Sequence, residues 1–531
     1  MKTIILWILV LIIASISSAQ NVNIPDTEFL NALIDEGVDT NEDSLINFEE
    51  AESVTSLDVG GYTCVGGGRG GCGFHGEISN LIGIEAFINL DSLKIEGNQI
   101  DSIDLSMNTK LHYLNCRGNK LTSLDISNNL ALTSLDCREN QLTSLDVSNH
   151  LALTSLDCGE NQLTSLDVSN NLALTSLGCR GNQLTSLDIS NHLALTSLDC
   201  GGNQLTNLDV SNNLALTSLS CGGDQLTSLD VSNNLVLEYL NCSYSPLTNL
   251  DVTNNTALTG LGCYDNQLTS LDVSGCAALT ELWCDYNQLA SLDVSKNTAL
   301  THLSCNRNQL TDLDVSNNIA LGWLECNENQ LTSLDVSGCI ALTRLFCVRN
   351  QLTSLDVSNN LALEYLNCSY NQLISLDLTG CSELGGLSCS NNQLTSLDVY
   401  NNTELEYLNL SYMPTLYEVC VWEGFPESIV YFDDSPNVYF TTDCLATALN
   451  SYEDEPGVSI YPNPSDDIIN IEFENINNAK LEIYNVSGRL VFSKKIHSKV
   501  ETVDISLLSK GIYIIKVMQD RAVNFGKVVL R

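Results

Sequence analysis

The sequence predicts a mainly β fold: a solenoid of parallel strands with almost no helix, followed by a C-terminal β-sandwich. Three observations predict it. A cysteine recurs every 21 residues from Cys116 to Cys389 without insertion or deletion, and a fixed short period means that each unit packs only on its neighbours. Within a unit, apolar and polar residues alternate, as at Leu132, Leu135 and Cys137, and helical spacing is absent. Near residue 445 the composition changes: the last 75 residues carry ten Lys and Arg against eight Asp and Glu, in a chain of formal net charge −43.

Residues 1–19 read as a secretory signal, with Lys2, an apolar run over 4–14, and Ser17, Ser18 and Ala19 before Gln20. The run is too short to span a bilayer. No cysteine follows the cleavage site to carry a lipid, and no other stretch qualifies as a membrane span. The mature chain is therefore expected to be exported and soluble.

Residues 20–58 form an N-terminal cap over the exposed apolar end of the solenoid. Within it, residues 39–50 match the EF-hand loop, with Asp39, Asn41, Asp43, the Leu45 carbonyl, Asn47 and Glu50 as oxygen ligands for calcium. Ser44 departs from the pattern, because that position takes a left-handed turn that favours glycine. Residues 26–36 would supply the entering helix. The alternative is an acidic, Asn-rich cap that binds no ion. Residues 59–89 are a Gly-rich, irregular first coil, in which Cys64 and Cys72 are expected to form a disulfide.

Residues 90–412 are the regular solenoid. The stretch 132–153 reads LTSLDCRENQLTSLDVSNHLAL. Its first half fits L-x-x-L-x-L-x-x-N-x-L, with Cys137 in the third apolar slot and Asn140 in the Asn slot. The chain thus resembles the leucine-rich repeat family over about sixteen coils. The second LTSLD, from Leu142, gives each coil a thinner second arm, and Asn, Ser and Asp mark the corners. At about 4.8 Å per coil, sixteen coils extend about 80 Å. The Asn amides should satisfy backbone groups of adjacent coils. Asp224 and Ser245 interrupt that column, and the ladder should be weakest there. The stacked cysteines read as apolar filler, since no His or CxxC accompanies them and parallel stacking suits disulfide geometry poorly. Cys276, Cys339 and Cys381 fall in a separate column, at a corner usually held by Asn, with no function assigned.

Residues 413–445 cap the other end, where Cys420 and Cys444 are expected to pair, and 446–456 form a linker. Residues 457–531 alternate apolar and polar positions over 467–472, 480–485, 489–494, 511–517 and 523–530, as in a small β-sandwich. Tyr461-Pro462-Asn463-Pro464, Tyr484 to Gly488, Asp504 to Leu507 and Gly511 to Tyr513 make this tail similar to the C-terminal sorting domain of type IX secretion substrates. The resemblance implies export across the outer membrane by the type IX machinery. Removal of the tail, then release or surface attachment, would follow.

Asp fills one slot after every second arm, from Asp104 to Asp398. Neighbours about 5 Å apart repel by about 1 kcal/mol in water. Acceptance of the turn's own N–H groups should offset most of this, with bound cations as a supplement. The acidity excludes nucleic acid as a partner. Up to Gly223 the outward positions are monotonous Ser, Asp and Gly. From there they hold Tyr239, Tyr264, Trp283, Tyr286, Arg307, Trp323, Glu325, Arg344, Phe346 and Tyr365. Aromatic and Arg side chains are enriched in binding hot spots, so these coils are expected to hold a protein or glycan ligand. Trp283 and Trp323 would stand about 10 Å apart on one platform. The resemblance to leucine-rich repeats supports binding without naming a ligand. The alternative is a structural, cation-stabilised spacer or an ice- or water-ordering surface, suggested by Thr143, Thr164, Thr185 and Thr206. The six histidines are scattered, and Ser and Asp recur because of the repeat, so no catalytic constellation or enzyme is expected.

Overall fold

The computed structural model describes residues 20–63, 73–74, 76–442 and 444, and in the tail 458–461, 468–473, 480–485, 489–496, 498–506, 508, 511–519 and 522–530. The signal, the linker, Cys64 and Cys72 lie outside the described residues. The chain divides into two units: Met1–Thr395, Glu404–Leu416 and Glu427–Asn437 in one, and Ser396–Thr403, Tyr417–Pro426 and Val438–Arg531 in the other.

The first unit is a solenoid. Its strands run from Ser56–Asp58 and Ser92–Lys94, one per coil, to Tyr407–Asn409 and Val430–Tyr431. Each pairs in parallel and in register with the strand one coil away, giving an 18-stranded sheet. The middle residue of each strand is buried and, in most coils, its neighbours face outward, as in Ser134–Asp136. Leu132, Leu135, Cys137, Leu142 and Val147 fill the interior of one coil, and the same slots are buried in the next. A fully buried Leu contributes roughly 1.5–3 kcal/mol, so the repeat builds its core one coil at a time. The second arms mostly lack ladders and meet only in isolated bridges such as Asp335 with Asp356.

Two columns of corner side chains replace backbone pairing where the chain turns. Asn140 Nδ2 donates to Cys116 O at 3.0 Å and Cys137 O at 3.1 Å, while its Oδ1 accepts from Leu121 N at 3.0 Å. The pattern repeats along the Asn column and breaks at Asp224 and Ser245. There Asp224 Oδ2 and Ser245 Oγ are buried without a partner. The second column needs only a donor. Asn129 Nδ2 reaches Leu105 O at 3.1 Å, His150 Nε2 meets Ile126 O at 3.1 Å, and Cys276 Sγ donates to Val252 O at 3.3 Å. This is why Asn, His and Cys interchange there, and the carbonyl partner puts the proton of His150 on Nε2. The thiols of the main cysteine column are buried and unpaired. Burial pushes them up, Cys242 to about 12, so they stay neutral core groups.

The acidic column is accounted for locally. Asp146 Oδ1 accepts from Ser148 N at 2.9 Å, and the contact recurs at Asp104, Asp125 and Asp167. The hydroxyl and N–H of Ser148 hold the Asp146 carboxyl below the usual carboxylate range.

The N-terminal cap contains two helices, α1 (Thr27–Asp35) and α2 (Phe48–Ser53). Asp26 caps α1 through Oδ1 and binds Ser79 N through Oδ2 at 2.8 Å, which ties the helix to the first coil. Asn47 and Glu50 form a capping box on α2.

In the second unit, Ser396–Asp398, Glu418–Cys420 and Tyr439–Thr441 form a parallel three-stranded sheet. A disulfide joins Cys420 to Cys444, with Cα atoms 5.4 Å apart. The tail consists of a three-stranded and a four-stranded antiparallel sheet. They share a core of Ile469, Ile471, Leu481, Ile483, Val503 and Ile515. Val458–Tyr461 and Val500–Asp504 are strands that sequence alternation alone did not mark.

Candidate ligand-binding face

Parallel register sorts the outward residues into columns. The first position of successive strands runs His302, Trp323, Arg344, Tyr365, and the third runs Ser304, Glu325, Phe346, Asn367. Rings therefore meet on the diagonal. Trp323 stacks on Phe346 at 6.2 Å between centroids, and Phe346 on Tyr365 at 5.3 Å. His302 lies 5.9 Å from Trp323 on the other side. The Arg344 guanidinium sits 4.7 Å over the Trp323 ring, and Trp323 Nε1 donates to Glu325 Oε1 at 2.8 Å. Both contacts fix the indole.

A half-buried polar network anchors Glu325. Asn306 Nδ2 donates to Glu325 Oε2 at 2.8 Å and Asn306 N to Asp285 Oδ1 at 2.9 Å. Ser304 Oγ donates to the same Asp285 oxygen, and Asn306 Oδ1 accepts from Asn327 N at 2.8 Å. Burial pushes the Asp285 carboxyl up, against the opposing pull of Ser304 and Asn306. Sequence reasoning missed this network. Its only trace is that the position after each cysteine turns from Gly and Arg to Asp285, Asn306 and Asn327.

A second row stands two residues after each cysteine, where the backbone is left-handed. Glycine serves at Gly97, Gly118, Gly181, Gly202 and Gly223, but Tyr286, Arg307, Glu328, Arg349 and Tyr370 take φ between 51° and 56° in the later coils. A non-glycine residue in that region costs roughly 1–2 kcal/mol. The row is nonetheless ordered: Arg307 lies 4.6 Å over the Tyr286 ring and pairs with Glu328 at 3.1 Å, and Arg349 lies 4.9 Å over Tyr370.

The structure thus brings Trp323, Glu325, Arg344, Phe346 and Tyr365 together, adds His302, and sets Tyr286 and Arg307 in the adjoining row. Tyr239, Tyr264 and Trp283 stand apart. Tyr239 lies over Gly260, and Tyr264 meets Tyr244 edge-on at 4.7 Å. Trp283 holds the third strand position and Trp323 the first, so they share a face without forming one platform.

At the EF-hand-like loop, Ser44 takes φ 64°, the left-handed turn expected of glycine. Glu50 Oε1 accepts from Thr40 N at 3.0 Å and Asn41 N at 3.2 Å, and Oε2 from Asn47 N at 2.9 Å. Burial opposes ionisation of Glu50, but these bonds and the Thr40 hydroxyl outweigh it and hold its carboxyl below the usual range. Asp39 Oδ2 accepts from Ser44 N at 2.8 Å, and Asp43 Oδ1 from Leu45 N at 2.9 Å. The oxygens thus face the loop's own N–H groups. Among the described residues no three His, Cys, Asp or Glu side chains converge as a metal set.

A coiled parallel sheet with Asn ladders and an exposed strand face defines a leucine-rich repeat solenoid. The functional domain of InlJ from Listeria monocytogenes, described as including a cysteine ladder, is similar at 26% identity and TM-score 0.60, covering 96% of this chain and 98% of that one. YopM from Yersinia enterocolitica is similar at 25% identity and TM-score 0.54, covering 66% of this chain and 78% of its own. The Toll–Spatzle complex from Drosophila shares the fold at 17% identity and TM-score 0.50, with 73% and 60% covered. Residues 459–531 match the secretion system C-terminal sorting domain, so the chain is directed by type IX secretion to the cell surface or beyond. No curated protein sequence matches the chain. Among the described residues no helix is long and apolar enough to cross a membrane.

Proposed function

We infer that this exported leucine-rich repeat protein holds a ligand, a protein or a glycan, on the outward face of its later strands, and that a protein ligand suits the face better. The carrying observation is the continuous stack from His302 through Trp323 and Phe346 to Tyr365, clamped by Arg344 and Glu325. Earlier coils with the same backbone present Ser and Asp there, so the fold does not require these rings. Side chains already fixed before binding lose little entropy on contact, and aromatic residues with Arg dominate protein hot spots. The test is a screen of extracellular proteins and glycans against the chain and its Trp323→Ala, Phe346→Ala double variant. Ligands retained equally by both would reject the reading.

Calcium at residues 39–50 is a separate part of the proposal, supported by the order of Asp39, Asn41, Asp43, Leu45, Asn47 and Glu50 and by the left-handed turn at Ser44. A cation would have to draw Glu50 away from the Thr40 and Asn41 N–H groups. Calcium should therefore speed hydrogen exchange at those two amides, and a calorimetric titration without heat would reject it.

A further inference from the structure

We propose that a notch in the earlier coils, away from the aromatic stack, is a binding site for a neutral pyranose sugar. The left-handed row runs Glu160, Gly181, Gly202, Gly223, Tyr244, so three successive coils carry no side chain between two that do. The flanking backbones are four coils, about 19 Å, apart. In the row before it, Gly201 and Gly222 are obligatory: a Cβ at Gly201 would stand 2.6 Å from Gly222 O, and one at Gly222 would stand 2.4 Å from Ser243 O. The result is a cavity of about 360 Å³, near the lower end of the range for small-molecule sites, about 300–1,000 Å³.

Its lining names the ligand class. Ser243 lines this cavity with its hydroxyl sealed from solvent, so recognition falls to its half-buried neighbours Asn241, Asp199 and Ser220. Asn241 Oδ1 accepts from Ser243 N at 3.1 Å, which leaves its NH₂ to donate. Asp199 has no ion-pair partner among the described residues and accepts only, while Ser220 beside it can do either. At one end Tyr264 and Tyr244 form an apolar, edge-on wall. At the other, Arg180 is neutralised by Glu160 at 3.1 Å. Mixed donors and acceptors over a small floor, beside an aromatic wall, complement a ring of hydroxyls with a C–H face. The unneutralised Asp199 disfavours an anion.

The full chain is titrated with methyl glucoside, methyl mannoside and methyl galactoside, using saturation-transfer NMR and calorimetry. At least one should bind. Asp199→Ala should weaken it about tenfold without lowering the melting temperature, because this carboxylate lines the cavity and has no hydrogen-bond or ion-pair partner among the described residues. Ser220→Trp should abolish it by filling the notch; Trp283 holds the equivalent strand position, so the fold accommodates the ring. Trp323→Ala should leave it unchanged, which separates this site from the proposed ligand face. Failure of all three sugars to bind, binding that survives Ser220→Trp, or loss with Trp323→Ala would each overturn the assignment.

Discussion

Replacing Asp224 with Asn should stabilise the solenoid at neutral pH and do little near pH 4. Asp224 stands in the Asn column, 1% exposed, with Oδ1 accepting from Asn203 N at 3.1 Å and Leu205 N at 3.0 Å. Its Oδ2 has no partner, where an Asn would donate to carbonyls as Asn203 donates to Cys179 O and Cys200 O. Burial pushes this carboxyl up to about 6, against the pull of the two backbone donors. The folded chain thus holds the proton more tightly than the unfolded one, whose Asp titrates near 3.9. Stability from this site is fully present below about pH 4, falls as pH rises towards about 6, and then stays reduced by ~3 kcal/mol. Asn carries no charge and restores donation at about 1 kcal/mol per bond. The variant's advantage should be ~3–4 kcal/mol at pH 7 and about 1 kcal/mol at pH 4. A solenoid opens locally, so the assay is hydrogen exchange at Asn203 and Leu205, compared between variant and parent at each pH. Exchange at pH 7 should slow by at least about a hundredfold. Equal rates at pH 7, or one ratio at both pH values, would refute the reasoning.

Other outcomes follow from the same contacts. Glu50→Gln should destabilise the N-terminal cap near neutrality. Because the Glu50 carboxyl is held low, its contribution is present above about pH 4.3 and lost as pH falls through the lower folded value, so parent and variant should converge in acid melts. Cys420→Ser with Cys444→Ser opens a loop of sequence separation 24. In the chain-entropy model this removes about 3 kcal/mol, read as earlier urea unfolding of that end. Deleting residues 457–531 should leave the solenoid folded but trapped in the periplasm, as fractionation would show; normal surface display would contradict the role of the tail.

Much of the fold is legible in the sequence because one coil dictates the next. Leu135, Cys137 and Asn140 recur at fixed spacing, and in a parallel in-register stack position alone decides which side each faces. The interruption at Asp224 was readable for the same reason, although its unpartnered oxygen was not. The binding face was harder. Trp283 and Trp323 are 40 residues apart, two short of two repeats, and those two residues move one ring from the third strand position to the first. Diagonal contacts such as Trp323 on Phe346 depend on rotamers that a period does not specify. The left-handed row was hinted at by Gly97, Gly118, Gly181, Gly202 and Gly223, but nothing in Tyr286 or Arg307 as residue types announces that backbone. The polar network joining Asp285, Ser304, Asn306 and Glu325 spans three coils of unremarkable polar residues, and only their adjacency gives it meaning.

The clamped stack of His302, Trp323, Phe346 and Tyr365 is the proposed seat of the ligand. The most direct measurement is the Kd of a ligand found by the screen for two double variants, Trp323→Ala with Phe346→Ala and Ser155→Ala with Ser176→Ala, each checked for unchanged melting. Loss of a buried anchor typically costs 2 kcal/mol or more, so the first pair should weaken binding by at least about thirtyfold and the second should not change it. Equal Kd values for the two pairs, or weakening by the Ser pair alone, would contradict the claim.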